Sequence, residues 1–338
     1  HPPTVKLRFL ERLAAVAPWP DARVVLSSTG SEAVETALKT ALMTTGRPGI
    51  LAFEGAYHGL TLGSLATTDR DLFRAPFLRR MYEGVAFAPF PDPLRHGEDA
   101  GRHALDEVEV ILDRGAPNGD AIGAVVVEPV QGRAGVRVSP VGFMAGLSAL
   151  ARERGALVVA DEIFTGMGRC GAMYASELVG LQPDLVCLGK ALGGGLPLYA
   201  CVGPRRVMDT WPESAGEAIH TSTFLGHPLS CAAGLAVLDA LEAEDVAQRA
   251  RALGERLSGA LRAALAGVEG VAEVRGLGLM LGIEMATGPA AEPSAGAGGR
   301  AAGCSSRYAC RLSLVISHST SCSPTRAWQP RRELARTS

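Results

Sequence analysis

Only three lysines, Lys6, Lys39 and Lys190, stand among the 33 basic residues of this 338-residue chain. A chain that otherwise uses arginine for positive charge keeps lysine where it is tolerated or where amine chemistry demands it. Lys6 and Lys39 lie on helical patterns among polar residues and read as solvated. Lys190 differs. It follows Pro183-Asp-Leu-Val-Cys-Leu-Gly and precedes Ala-Leu-Gly-Gly-Gly-Leu-Pro, and no other charge lies between Asp184 and Arg205. An ammonium group in that setting is desolvated and its pKa falls, which suits nucleophilic and Schiff-base chemistry. The plainer reading is a lysine that snorkels from a loop or pairs with Asp161. The neighbouring glycines favour the chemical reading, because they let a ligand approach the backbone.

Asp161 closes the apolar run Ala156 to Ala160, so its carboxylate is partly desolvated and calls for a cationic partner. A pyridinium nitrogen is one such partner, and the nearby Arg169 is another. Upstream, Thr29-Gly-Ser-Glu32 has the form of a capping box. On its own it describes a well-capped helix. Placed directly after a strand, it also leaves the amides of Gly30 and Ser31 free to hold a phosphate. Two nucleotide loops are excluded by spacing. Gly189-Lys190 lacks the flanking residues of a Walker loop, and the glycines from Gly276 to Gly282 do not form a dinucleotide fingerprint.

Composition narrows the class further. Hydrophobic residues make up 47% and charged residues 20%, and the net charge is −2, so nothing points to nucleic acid or an anionic membrane surface. No apolar run reaches the length of a membrane span, and the first residues lack a signal-peptide layout, so a cytoplasmic location is expected. The seven cysteines have no regular spacing and no C-x-x-C pair, which predicts free thiols and no metal site.

The elements that must position these residues follow from the apolar spacing. A helix is expected over 4–17, stopped by Pro18, then a strand over 23–26 and a helix from the capping box to about Thr44. Strands are expected at 50–53, 122–127, 156–160 and 185–188, with helices near 104–112 and 141–154. The strands are continuous apolar runs, as in a mostly parallel sheet buried between helices. Ser28 to Ser31, Tyr57-His58, Glu128, Asp161 and Lys190 all fall just past strand carboxyl ends, the edge where such sheets bind ligands. From Pro228 to about Leu265 the spacing is one long helical pattern, followed by strand-like runs at 271–274 and 279–283. After Gly288 the composition changes, and apart from Leu312 to Ile316 little periodicity remains.

Six segments, in order along the chain, carry a family likeness: Ser-Thr-Gly-Ser-Glu-Ala, Tyr57-His58-Gly59, Glu128-Pro-Val-Gln-Gly, Asp161-Glu-Ile-Phe-Thr-Gly-Met-Gly-Arg, Lys190-Ala-Leu-Gly-Gly-Gly and Ser222-Thr-Phe. Together they resemble the class-III pyridoxal-phosphate (PLP) dependent aminotransferases, which include the acetylornithine, ornithine and 4-aminobutyrate enzymes. The likeness runs over about residues 3 to 285. It implies the α/β fold type I, a mostly parallel central sheet with helices on both faces, plus a small α+β domain that looks incomplete. It implies an N-terminal helical segment (1–20), a large PLP-binding domain (21–227), and a linking helix and the start of a small domain (228–285), while the atypical tail (286–338) reads from its composition as disordered or foreign to the fold.

The resemblance also implies roles. Lys190 would bind the cofactor and later move a proton, and Asp161 would keep the pyridine nitrogen protonated. Gly30 and Ser31 would hold the phosphate. Tyr57 would stack on the ring with His58 beside it, and Glu128 and Phe164 would line the pocket. Ser222 belongs to the last of the six motifs, and its neighbour Thr223 would reach the phosphate of a second subunit, which implies a homodimer. Many relatives carry a glutamate where this chain has Arg133, which either meets a substrate carboxylate or is solvated. The chain is expected to lack an N-terminal segment and to be frame-shifted or truncated past Met285. The implied reaction moves an amino group from an ω-amino acid or basic amino acid derivative to a 2-oxo acid such as 2-oxoglutarate. A racemase, mutase or decarboxylase of the same fold is the alternative, as is an inactive fragment.

Overall fold

A computed structural model describes residues 2–213 and 216–286, together with the backbone of 312–315. Seven strands form the central sheet: β1 (Ala22–Ser27), β2 (Gly49–Phe53), β3 (Val85–Ala88), β4 (Ile122–Val127), β7 (Leu157–Asp161), β8 (Leu185–Leu188) and β9 (Tyr199–Pro204). Two short strands, β5 (Val130–Gln131) and β6 (Arg137–Val138), form a separate hairpin. The sheet order is β1-β9-β8-β7-β4-β2-β3. The neighbours β3, β2, β4, β7 and β8 run parallel, while β9 runs antiparallel between β8 and β1.

Alternate residues of each central strand feed two cores, because successive side chains point to opposite faces. Val125, Val127, Val158, Ala160, Val186 and Leu188 join one cluster, and Val126, Val159, Leu185 and Cys187 join the other. Helices α1 (Thr4–Ala15), α3 (Ala100–Arg114) and α4 (Phe143–Glu153) supply the first cluster, with Phe9, Leu13, Val108 and Leu147 fully buried. Helix α2 (Gly30–Thr45) covers the other face with Ala33, Val34 and Ala37. Helices thus cover both faces of a mostly parallel sheet, the architecture that the family resemblance implies.

The sequence pattern misjudged four places. The stretch 228–265 is two helices, α5 (Pro228–Ala243) and α6 (Val246–Leu265), rather than one. Asp245 sits in the left-handed region at φ 47° between them, and no glycine or proline marks that break. Strands β3 and β9 went unread: β3 is only four residues long, and β9 follows a glycine run and ends in Gly-Pro. Lys6 is half-buried, and its Nζ donates to the Leu225 carbonyl at 3.2 Å, so it is not simply solvated. Strands β10 (Val271–Leu277) and β11 (Met280–Met285) form the second, antiparallel sheet. The expected disorder of 286–338 lies outside the described residues, except at Ala286, whose amide bonds the Gly270 carbonyl (2.8 Å), and at Leu312–Val315, which form a strand, β12, against β11.

A buried acid beside the sheet edge holds the next segment in place. Glu162 is fully buried and accepts hydrogen bonds from the amides of Ala175 (3.1 Å) and Ser176 (2.7 Å) and from the Thr165 hydroxyl. Glu162→Ala strands these donors without acceptors, so a loss of about 3 kcal/mol is expected. Urea unfolding of the two proteins would measure it, and a midpoint shift worth under about 1 kcal/mol would contradict it.

Candidate active site

The carboxyl ends of β1, β2, β4, β7 and β8 open into one cavity of about 370 Å³. Gly30 and Ser31 line it from the start of α2, and Tyr57, His58 and Gly59 from the loop after β2. Glu128 and Arg133 reach it from beyond β4, Asp161, Ile163 and Phe164 from the end of β7, and Lys190 from the end of β8. Tyr199 completes the wall. It arrives there because β9 runs antiparallel, so its first residue lies at the edge where its neighbours end. With β9 unread, Tyr199 was missed. Ile163 and Gly59 lay inside segments already singled out, without being picked individually.

Asp161 is buried, and its Oδ2 lies 2.8 Å from His58 Nδ1. Its Oδ1 accepts the Ile163 amide at 3.1 Å. The partner of Asp161 is therefore a histidine 103 residues upstream. Arg169, the sequence candidate, does not line the cavity. His58 lines the cavity next to Tyr57 and is also bonded to Asp161, a contact the sequence reading did not include. Its Nε2 is buried without a hydrogen-bond partner among the described residues.

Lys190 is reached by solvent through the open cavity, yet protein surrounds it on the remaining sides. That burial lowers the pKa of its amine below the ordinary 10.5, against the opposing charges of Asp161 and Glu128. The charge of Arg133 lowers it further. Its Nζ lies 4.5 Å from the centroid of the Phe164 ring. The backbone of Lys190 is left-handed, at φ 44°, a conformation disfavoured by roughly 1–3 kcal/mol outside glycine. The preceding Gly189 admits no side chain, since a Cβ there would fall 2.0 Å from Tyr199 Cδ1.

The lowered pKa has a kinetic consequence. Below it, the reactive neutral amine grows about tenfold per pH unit. Attack of Lys190 on an aldehyde should therefore accelerate as pH rises and level off before pH 10.5. Borohydride trapping of a labelled aldehyde at Lys190 against pH would show it, and a profile still climbing through pH 10.5 would contradict it.

The capping box forms as the sequence implies. Thr29 Oγ1 accepts the Glu32 amide at 3.2 Å, and Glu32 Oε2 accepts the amides of Ser28 and Thr29. The backbone N–H groups of Gly30 and Ser31 have no hydrogen-bond partner among the described residues. They stand at the positive end of a 16-residue helix that borders the cavity. Glu128 is buried, and its two oxygens accept the Tyr57 amide (3.0 Å) and the Gly132 amide (2.9 Å). It thereby ties the loop after β2 to the turn after β5, and burial raises its carboxyl above the ordinary range. The Arg133 guanidinium lies 4.1 Å over the Tyr57 ring. Ser222 and Thr223 do not line the cavity: Thr223 is exposed, and the hydroxyl of the half-buried Ser222 has no hydrogen-bond partner among the described residues.

Three comparisons agree on the family. The "Aminotransferase class-III" family profile matches residues 3–311. The 5-aminovalerate aminotransferase DavT of Pseudomonas aeruginosa is 40% identical over 276 residues, which cover 80% of this chain and 63% of that protein. The acetylornithine aminotransferase of Methanothermobacter thermautotrophicus is 38% identical, covering 83% of this chain and 65% of that protein. Among solved structures, a thermostable (S)-enantioselective omega-transaminase from Thermomicrobium roseum matches with a TM-score of 0.77 at 32% identity, covering 84% of this chain and 65% of that one. The chain thus spans somewhat under two thirds of the length of these relatives. It belongs to the class-III aminotransferases, a PLP-dependent family.

The residues present fit that cofactor. A lysine amine, a buried carboxylate held by a histidine, and a pair of unpaired helix-start amides meet around one cavity of suitable size. Such a set answers in turn an aldehyde, a protonated ring nitrogen and a phosphate. The described residues contain no His, Cys, Asp or Glu cluster able to hold a metal ion and no helix long and apolar enough to cross a membrane. The described cysteines Cys170, Cys187, Cys201 and Cys231 are free and buried.

Proposed function

We propose that the protein is an aminotransferase that moves an amino group from an ω-amino acid or a basic amino acid derivative to a 2-oxo acid such as 2-oxoglutarate. The observation that carries this reading is the convergence of Lys190, the His58-backed Asp161 and the free amides of Gly30 and Ser31 on one cavity. The relatives' names point to the same donor class.

When bound, PLP supplies an electron sink for negative charge that develops at the substrate carbon. Lys190 would hold the cofactor through its amine and, once freed, would carry a proton to and from the substrate Cα. Asp161 would keep the ring nitrogen protonated, with His58 orienting its carboxylate. The Gly30 and Ser31 amides would bind the phosphate. Tyr57 and Phe164 would flank the ring, and Glu128 would hold the Tyr57 loop in register.

Thr223 would reach the phosphate in the site of a second copy, with Ser222 beside it at the cofactor, so a homodimer is part of the proposal, as are a cytoplasmic location and the division at residues 20, 227 and 285. Purified protein with PLP, an amino donor series and 2-oxoglutarate tests the reading by glutamate formation. Product without 2-oxoglutarate consumption would replace it with a racemase, mutase or decarboxylase. No PLP absorbance band would leave an inactive fragment.

A further inference from the structure

The turn Gly132–Val136 joins β5 to β6 and carries Arg133 into the cavity. It is a demanding piece of backbone. The amides of Gly135 and Val136 both bond the Gly132 carbonyl at 3.2 Å. Val136, a β-branched residue, is left-handed at φ 53°. Gly132 admits no side chain, because a Cβ would lie 2.4 Å from the Phe164 ring. A turn like this holds only where its surroundings over-determine it.

Those surroundings come from the second sheet. Arg275 on β10 is buried, only 7% exposed. Its Nε donates to the carbonyls of Gly135 (3.1 Å) and Val136 (3.0 Å), and its Nη2 to Gly135 (2.8 Å). Its outer edge pairs with Glu273 (2.8 Å) and with the buried Glu284, which also pairs with Arg95. The guanidinium is therefore clamped on one side and grips the turn with the other. Such a fork reaches two carbonyls and two carboxylates at once, which an ammonium cannot do.

What the turn delivers is a cation. The Arg133 guanidinium lies on the Tyr57 face and makes no hydrogen bond or ion pair among the described residues. Stacked there, its donor edge is open to a carboxylate in bidentate geometry. Lys190 lines the same cavity. An ω-amino acid has an amine at one end and a carboxylate at the other, and so matches both groups.

We propose that Arg275 is a positioning residue that fixes the Gly132–Val136 turn and so holds Arg133 as the receptor for the distal carboxylate of the amino donor. This rests on the aminotransferase reading above. It makes the second sheet part of donor selection, although none of its residues needs to touch the donor.

The test uses the PLP-loaded full chain with Arg133→Ala, Arg275→Met, Arg275→Lys and the double variant R133A/R275M. The first readout is the ratio of kcat/KM for 4-aminobutyrate to that for butylamine, which lacks the carboxylate. The second is hydrogen exchange of the peptide covering 130–138. Losing a charge-assisted bidentate contact should lower the ratio about tenfold to a hundredfold in R133A. R275M should lower it to a similar value and speed exchange at the turn, R275K should do both less, and the double variant should be no worse than R133A.

A ratio unchanged in R133A, or in R275M while the turn exchanges faster, overturns the proposal. If R275M exchanges throughout the sheet, R275K decides: a turn exchanging at the wild-type rate overturns it. If the wild type uses neither amine, the aminotransferase reading fails on its own. The affinity of butyrate for the loaded protein then decides, since equal affinity in wild type, R133A and R275M overturns the positioning claim.

Discussion

Lys190→Ala is expected to lower the rate of amine transfer by on the order of 10⁴-fold or more, and to abolish borohydride-fixed attachment of the cofactor. The size follows from two losses at one atom. In the proposed function the same nitrogen would be both the attachment point and the proton carrier, so neither role would survive truncation. Stability should change little. Lys190 is solvent-accessible, its contact with the Phe164 ring is worth about 0.5–1 kcal/mol at such a site, and alanine inherits the same left-handed backbone. Lys190→Gly should relieve that strain and stabilise the fold by a few tenths to about 1 kcal/mol while remaining equally inactive. Urea unfolding beside a turnover assay separates the two effects. A borohydride-fixed label that persists in Lys190→Ala would move the attachment to another amine and remove the basis of the site assignment.

How much of this was legible beforehand depended on the range over which each feature is determined. Strands β2, β4 and β8 are buried at every position, and their unbroken apolar runs announce it. The capping box at Thr29 is a four-residue matter and forms as read. Lys190 stood out because the chain spends so few lysines. The unread parts are non-local. Nothing near Asp161 in sequence names His58 as its partner, since β2 and β7 are brought to one edge only by the sheet order. Tyr199 reaches the cavity through the reversed direction of β9, a tertiary choice invisible in a Gly- and Pro-flanked run. Arg133 looked ambiguous because its placement is set by Arg275, 142 residues further on, through the carbonyls of a turn. Carbonyl acceptors leave no trace in residue type.

Asp161→Asn should prove nearly as damaging as loss of the lysine, and in a way that isolates charge from shape. Asparagine keeps the volume, its one carbonyl can accept the Ile163 amide, and its NH2 can donate to His58 Nδ1 in the tautomer protonated at Nε2, so the loop geometry is retained. What goes is the negative charge buried at the end of β7. If that charge keeps the cofactor's ring nitrogen protonated, turnover falls on the order of 10³-fold while the lysine remains able to bind the cofactor. The pH profile carries a second sign. Asp161 raises the pKa of Lys190 against the lowering by burial, so removing its charge lets that pKa fall further. Trapping of an aldehyde at Lys190 should then reach its plateau at lower pH in Asp161→Asn than in the wild type. Asp161→Ala adds a folding defect, because His58 Nδ1, in a ring whose Nε2 has no partner among the described residues, loses its acceptor in the interior. That should cost about 1–3 kcal/mol beyond the asparagine variant. Turnover within tenfold of wild type in Asp161→Asn, with an unshifted trapping profile, would show that the carboxylate organises the edge of the sheet and takes no part in the chemistry.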